Sequence, residues 1–142
     1  MKAVNTVKIT FPSRSINEAF ARSALAAFAS QLDPTLDKLA DVKTAVSEAV
    51  TNSIVHGYAD RIGPVTLTAS LYEDGILRVS VSDKGCGIPD VKKAMKPLFT
   101  TGGTERAGLG FAVMESFMDS VKVRSAPGKG TRVTMTKRLK LR

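Results

Sequence analysis

Residues 65–82, VTLTASLYEDGILRVSVS, allow this chain very few folds. Val65, Leu67, Ala69 and Leu71 alternate with Thr66, Thr68 and Ser70, and the return segment alternates in the same way. A period of two belongs to a strand with one face buried and one face wet. The intervening EDG, at 73–75, has the composition of a tight hairpin turn. An antiparallel pair with a single apolar face must be covered by something, and the rest of the sequence supplies the cover.

Upstream, VKITF places Val7, Ile9 and Phe11 on one face of a further strand, read as 7–11. SINE, at 15–18, has the form of a capping box, with Ser15 capping a helix and Glu18 reaching back. That helix is expected to run to about Leu32 and to bury Phe20, Ala24, Leu25, Phe28 and Leu32. In DPT, Asp33 is the expected cap and Pro34 the first helical residue of a second helix. This helix is read to end near Gly57 in a left-handed conformation, with Leu39, Val42, Val46, Ala49, Val50 and Ser53 as its core stripe. Residues 83–110 carry six glycines and few apolar anchors, the signature of a long functional loop. A third helix, FAVMESFMDS, follows, and VKVRS and TRVTMTKRL close the chain as strands around PGKG. The order predicts one α+β domain over residues 1–142, a sheet with helices on one face.

Composition removes several classes of function. At 142 residues the chain suits one domain, and 43% hydrophobic with 24% charged residues suits a globular one. No apolar run reaches the ~20 residues of a membrane span, and the N-terminus lacks the layout of a signal peptide, so a cytoplasmic protein without a membrane partner is expected. The single Cys86 excludes an internal disulfide and disfavours a cysteine zinc site. The formal charge is +8, yet the basic residues are scattered along the chain apart from the tail KRLKLR, and aromatics make up 6%. No direct nucleic-acid contact is expected from that distribution.

Three motifs carry chemistry. Asp41, Thr44, Glu48, Asn52 and, at its edge, His56 fall on the helix side opposite the core stripe. Alone, such a stripe is a solvated face. SDKGCGIPD, at 82–90, ends a strand on Asp83, and its flanking glycines let the backbone approach a flat ligand. GLGF, at 108–111, places glycine backbone at the mouth of a helix, where N–H groups and the dipole favour an anion. Neither a P-loop nor a dinucleotide fingerprint is present.

In their order, EAVTN, DKGCGIPD, GLGF and GKGT resemble the ATP site of the GHKL superfamily. SEAVTNSIVHGY, PLFTT and GLGFAVMESFMD are similar, within it, to the anti-sigma factor serine kinases, nearest to the sporulation anti-sigma F factors with the stress-response anti-sigma B kinases as cousins. The resemblance implies the two-layer α/β sandwich of Bergerat type, with a mixed, mainly antiparallel sheet. It also implies ATP and Mg²⁺ as ligands. Asn52 would be the Mg²⁺ ligand and Glu48 the catalytic base, while Asp83 would read the adenine amine, with Gly85, Gly87 and Thr131 at that end of the pocket. Gly108, Leu109 and Gly110 would wrap the phosphates, and Thr100, Thr101 and the segment to Gly108 would form a lid carrying Arg106 to the γ-phosphate and the partner. Arg22 would touch both partners, a sigma factor and an anti-anti-sigma factor phosphorylated on serine, in a homodimer formed through the first strand and helix. Two alternatives stand beside this: a non-catalytic nucleotide-gated binding module, and a histidine kinase catalytic domain, for which these residues hold no phospho-accepting hairpin. The family pattern does not call for the basic charge.

Overall fold

A computed structural model describes residues 2–95 and 102–140. The hairpin predicted from alternation is its centre. Strand β2 (Pro64–Tyr72) pairs antiparallel with β3 (Ile76–Asp83) across a turn in which Gly75 adopts φ 86° and donates its N–H to the Tyr72 carbonyl at 3.0 Å. Strand β1 (Ala3–Pro12) flanks β2, so the expected 7–11 segment is longer at both ends. Strands β4 (Ser120–Ser125) and β5 (Thr131–Arg138) complete a five-stranded sheet of order β1-β2-β3-β5-β4. Every neighbouring pair is antiparallel, where the expectation allowed a mixed sheet.

Helices α1 (Asn17–Ala29) and α2 (Leu36–Asn52), a one-turn α3 (Val91–Ala94) and α4 (Gly102–Phe117) supply the cover. The core joins Leu25 and Phe28 of α1, Val42, Val46 and Val50 of α2, and Phe111 and Met114 of α4 to the inward residues of the sheet. Each large apolar side chain removed from water contributes about 1.5–3 kcal/mol, so this layer contact is the main stabilising term.

Local sequence signals lose to tertiary contacts at several points. Helix α1 starts at Asn17 with no side-chain cap. The capping box is not made, because Glu18 instead accepts from Ser47 Oγ of α2 at 2.8 Å and faces Arg22 at 3.5 Å. Phe20 is 57% exposed and Ala24 and Leu32 are half-buried; the small Ala21 and Ala29 take the inner face of α1 instead. Thr35, not Asp33, caps α2, accepting from the Lys38 N–H at 3.3 Å, while Asp33 turns left-handed (φ 53°) at the end of the preceding 3₁₀ turn. Helix α2 ends in a π-helical turn, Ser53–Gly57, and Gly57 does not take the expected left-handed conformation. Helix α4 begins at Gly102, well before the expected Phe111. A glycine costs about 1 kcal/mol relative to alanine inside a helix, and each added residue gains a backbone hydrogen bond, so a helix anchored by Phe111, Met114 and Met118 can extend through its glycines.

Candidate functional site

The polar side of α2 is solvated at Thr44 but shielded toward its C-terminal end. Glu48 and Asn52 are both half-buried, and both heads face one point on α4. A Cβ built at Gly110 would lie 3.1 Å from Asn52 Nδ2 and 3.2 Å from Glu48 Oε2. Only glycine lets α4 lie this close without displacing the two side chains. Asn52 Nδ2 is buried and has no hydrogen-bond partner among the described residues. An unsatisfied buried amide costs ~1–3 kcal/mol, which a structural asparagine would avoid. The Nδ2 donor is therefore open to an acceptor supplied from outside the described residues, such as a phosphate oxygen.

Asp83 comes to the same place from the sheet. It is buried at the end of β3, and its Oδ1 accepts from the Gly85 N–H at 2.9 Å. Its carboxylate lies against the π-turn of α2, where a Cβ on Gly57 would come within 2.9 Å of Cγ. That close approach, not a left-handed φ, is why residue 57 is glycine. Asn52, Asp83, Gly87 and Thr131 line one cavity, whose apolar walls include Ile88 and Phe111. Such a lining, apolar with a few convergent polar groups, is that of a small-molecule site.

The loop that follows Asp83 is stapled on both sides. Cys86 N–H donates to the Gly57 carbonyl at 2.9 Å, and the Cys86 carbonyl accepts from Gly128 N–H at 2.7 Å. Ile88 N–H donates to Ser125 Oγ at 2.7 Å. Gly85 stands outside the cavity lining and serves this staple, because a Cβ there would meet the Gly57 carbonyl oxygen at 2.0 Å. Gly87 has φ 77° and Gly130 φ 80°, and a Cβ on Gly130 would meet the Asp83 carbonyl at 2.1 Å. The glycines of DKGCGIPD and GKGT thus bring the two loops into backbone contact beside the cavity.

Tyr58 is a residue the sequence reading missed. It is buried at 4% exposure, donates its hydroxyl hydrogen to the Pro64 carbonyl at 2.7 Å and accepts from Lys84 N–H at 2.6 Å. Gly63 packs flat on its ring, and Arg61 stacks over it at 5.4 Å while donating to the Lys84 carbonyl. Tyr58 therefore ties the end of α2 to both central strands directly behind Asp83. Its place in HGY, immediately after the polar stripe, was the available signal.

The remaining expected residues separate. Leu109 is exposed and Gly110 is buried against α2, both inside α4. GLGF is accordingly in a helix rather than at its N-terminus, which corrects the expected anion-binding mouth. Gly108 and Arg106 lie in the α4 backbone, while Thr100, Thr101 and the Arg106 side chain fall outside the described residues. Arg22 and Glu48 line a second groove between α1 and α2, together with Lys43, Thr44 and Ser47. No cluster of three His, Cys, Asp or Glu side chains forms among the described residues, so any cation at Asn52 must take further ligands from phosphate oxygens and water. A hard cation suits the amide oxygen of Asn52, and the Glu48 carboxylate beside it suits either charge balance or proton acceptance.

A sequence profile described as a histidine kinase-like ATPase domain matches residues 11–137. Proteins named anti-sigma F factor are 55% identical over 138 residues in Thermoanaerobacter pseudethanolicus and 52% identical over 138 residues in Clostridium acetobutylicum, each match covering 96% of both chains. A solved structure of the RsbU and RsbW domains of a Mycobacterium tuberculosis protein superposes with a TM-score of 0.71 and 25% identity over 96% of this chain, which spans 32% of that one. The chain belongs to the histidine kinase-like ATPase family, in the branch of the anti-sigma F factors.

Proposed function

We propose that this chain is an anti-sigma factor and ATP-dependent serine kinase: a homodimer that holds a sporulation sigma factor of the sigma F type and phosphorylates an anti-anti-sigma factor on serine. The observation that carries the reading is the convergence of Glu48 and the unsatisfied Asn52 amide on one point of α4, beside a cavity that Asn52 shares with Asp83 and Thr131. The near-full-length identity to anti-sigma F factors supports the regulatory role.

Each residue has a distinct task. Asp83 has Oδ1 committed to the Gly85 N–H, which leaves Oδ2 to accept from the exocyclic amine of adenine. Gly87 and Thr131 flank that amine end, and Ile88 and Phe111 cover the ring. Asn52 would hold Mg²⁺ through its amide oxygen, and the ion when bound neutralises charge on the phosphates. The lid with Thr100, Thr101 and Arg106 closes over the phosphates, while Gly110 within α4 leaves room beside Asn52 and Glu48. Glu48 orients the incoming serine hydroxyl and accepts its proton late, as a loose phosphoryl transfer requires.

The groove that Glu48 shares with Arg22 supports entry of the phosphoacceptor from the α1 side. The dimer through β1 and α1 is supported by the sheet order, in which β1 is an edge, and by exposed Val4, Ile16 and Phe20 at 56%, 79% and 57%. Ile16 and Phe20 are one helical turn apart and form a single apolar strip. An intact Glu48 disfavours a purely sequestering module, which has no use for a base. Incubation with γ-labelled ATP, Mg²⁺ and candidate anti-anti-sigma proteins, with phosphosite mapping, tests the reading. Label on one partner serine is expected, and labelling of a histidine or of no partner contradicts it.

A further inference from the structure

The uncovered face of the sheet has a composition of its own. One row across it reads Lys8, Thr68, Ser80, Thr134 and Lys122 in direct register. The rows on either side place Arg124 opposite Arg132 and Arg78 on the central strand, with serine or threonine at every other position. The only acid in any of the five strands is Asp83, which points the other way into the cavity. Five of the 21 basic residues, Lys8, Arg78, Lys122, Arg124 and Arg132, lie apart in the sequence, and folding gathers them on one face.

These cations are uncompensated. Lys8, Arg78, Lys122, Arg124 and Arg132 are exposed, and none has a salt bridge among the described residues. Arg124 and Arg132 sit directly opposite each other, an arrangement that destabilises a sheet unless an anion lies between them. A cleft at this pair is lined also by Ser82, Ser125, Lys129 and Thr131, with Asp83 the one acidic residue of its lining. The hydroxyls bond to one another across the strands, Thr10 to Thr66 at 3.0 Å and Ser80 to Thr134 at 3.2 Å, and keep the surface level.

We infer that this face binds the phosphodiester backbone of a nucleic acid without reading its sequence. Arginine, lysine, serine and threonine are the side chains that contact phosphate and sugar. A protein partner would need apolar or aromatic anchors at the centre of the patch, and a membrane surface would need apolar side chains to insert. The three rows hold neither. The expectation of no nucleic-acid contact rested on order along the chain and did not include the strand register.

The test is fluorescence anisotropy of a labelled DNA duplex with the full chain, titrated at several salt concentrations. Five phosphate contacts predict micromolar binding and a log–log salt slope of about −4 to −5. Arg124→Gln/Arg132→Gln should weaken binding at least tenfold and reduce the slope by about two, without lowering the melting temperature. Lys38→Gln/Lys92→Gln removes the same charge from the helical layer and should leave affinity within about threefold. Equal loss in both double variants would reduce the effect to net charge and overturn the inference. Absence of binding at low salt, or binding to anionic vesicles but not to the duplex, would overturn it equally.

Discussion

Asp83 and Asn52 separate fold from ligand binding at the level of single atoms. Asp83→Asn keeps an oxygen to accept the Gly85 N–H but presents an NH₂ where the carboxylate offered an acceptor. Its expected effect is a ten- to hundredfold loss of ATP affinity by calorimetry, with a melting temperature close to wild type; full affinity would remove Asp83 from adenine recognition. Asn52→Ala removes a buried Nδ2 donor that has no partner among the described residues. The nucleotide-free protein should therefore be no less stable, while Mg–ATP affinity falls. Unchanged affinity in the presence of Mg²⁺ would contradict the metal role. At this scale the sequence was informative about chemistry and less so about packing. Glu48, Asn52 and Asp83 were legible because their motif spacing is restrictive. Phe20 was misplaced because periodicity alone cannot distinguish an apolar residue that faces the core from one left exposed at the edge of the helix face.

Among the elements, the strands were the most legible part. Alternation through β2 and most of β3 and the glycine turn between them leave one register, and burial follows it except at Ser80, which is buried. Helix ends were the least legible, since Ser15 and Gly57 carry local signals that a longer-range contact overrides, and Asp33 loses the cap to Thr35 two residues on. Glu18 prefers Ser47, and Gly57 makes room for Asp83. The junction at Tyr58 joins nearby Arg61, Gly63 and Pro64 to distant Lys84, and its place in HGY was the one local cue to it. Tyr58→Phe strips two hydrogen bonds and leaves the Lys84 N–H without its acceptor, at a cost of about 1–3 kcal/mol. Thermal denaturation should show a drop of several degrees, and ATP affinity should fall severalfold while turnover at saturating ATP is retained. Loss of turnover with unchanged affinity would place Tyr58 in the chemistry instead of behind the pocket.

At the scale of the whole molecule, Asn52 lines the cavity and Glu48, one helical turn before it, lines the groove with Arg22; in the proposed function these hold nucleotide and partner. Arg22 lies on the groove side, 39% exposed at its side chain, with an i,i+4 contact to Glu18 worth no more than a few tenths of a kcal/mol. Arg22→Glu should thus release the sigma factor in a pull-down and leave ATP affinity intact; loss of both would make the change structural. The order of elements and the one-sided helical cover were readable from the sequence, whereas the basic sheet face was not, because it exists only once the register is set. The central claim is that Glu48 is the base of a serine kinase, and Glu48→Gln, near-identical in shape, tests it most directly. With ATP binding measured by calorimetry and phosphate transfer to the anti-anti-sigma partner measured on the same preparation, the variant should bind ATP as wild type does and transfer phosphate orders of magnitude more slowly. Transfer at the wild-type rate would contradict the account.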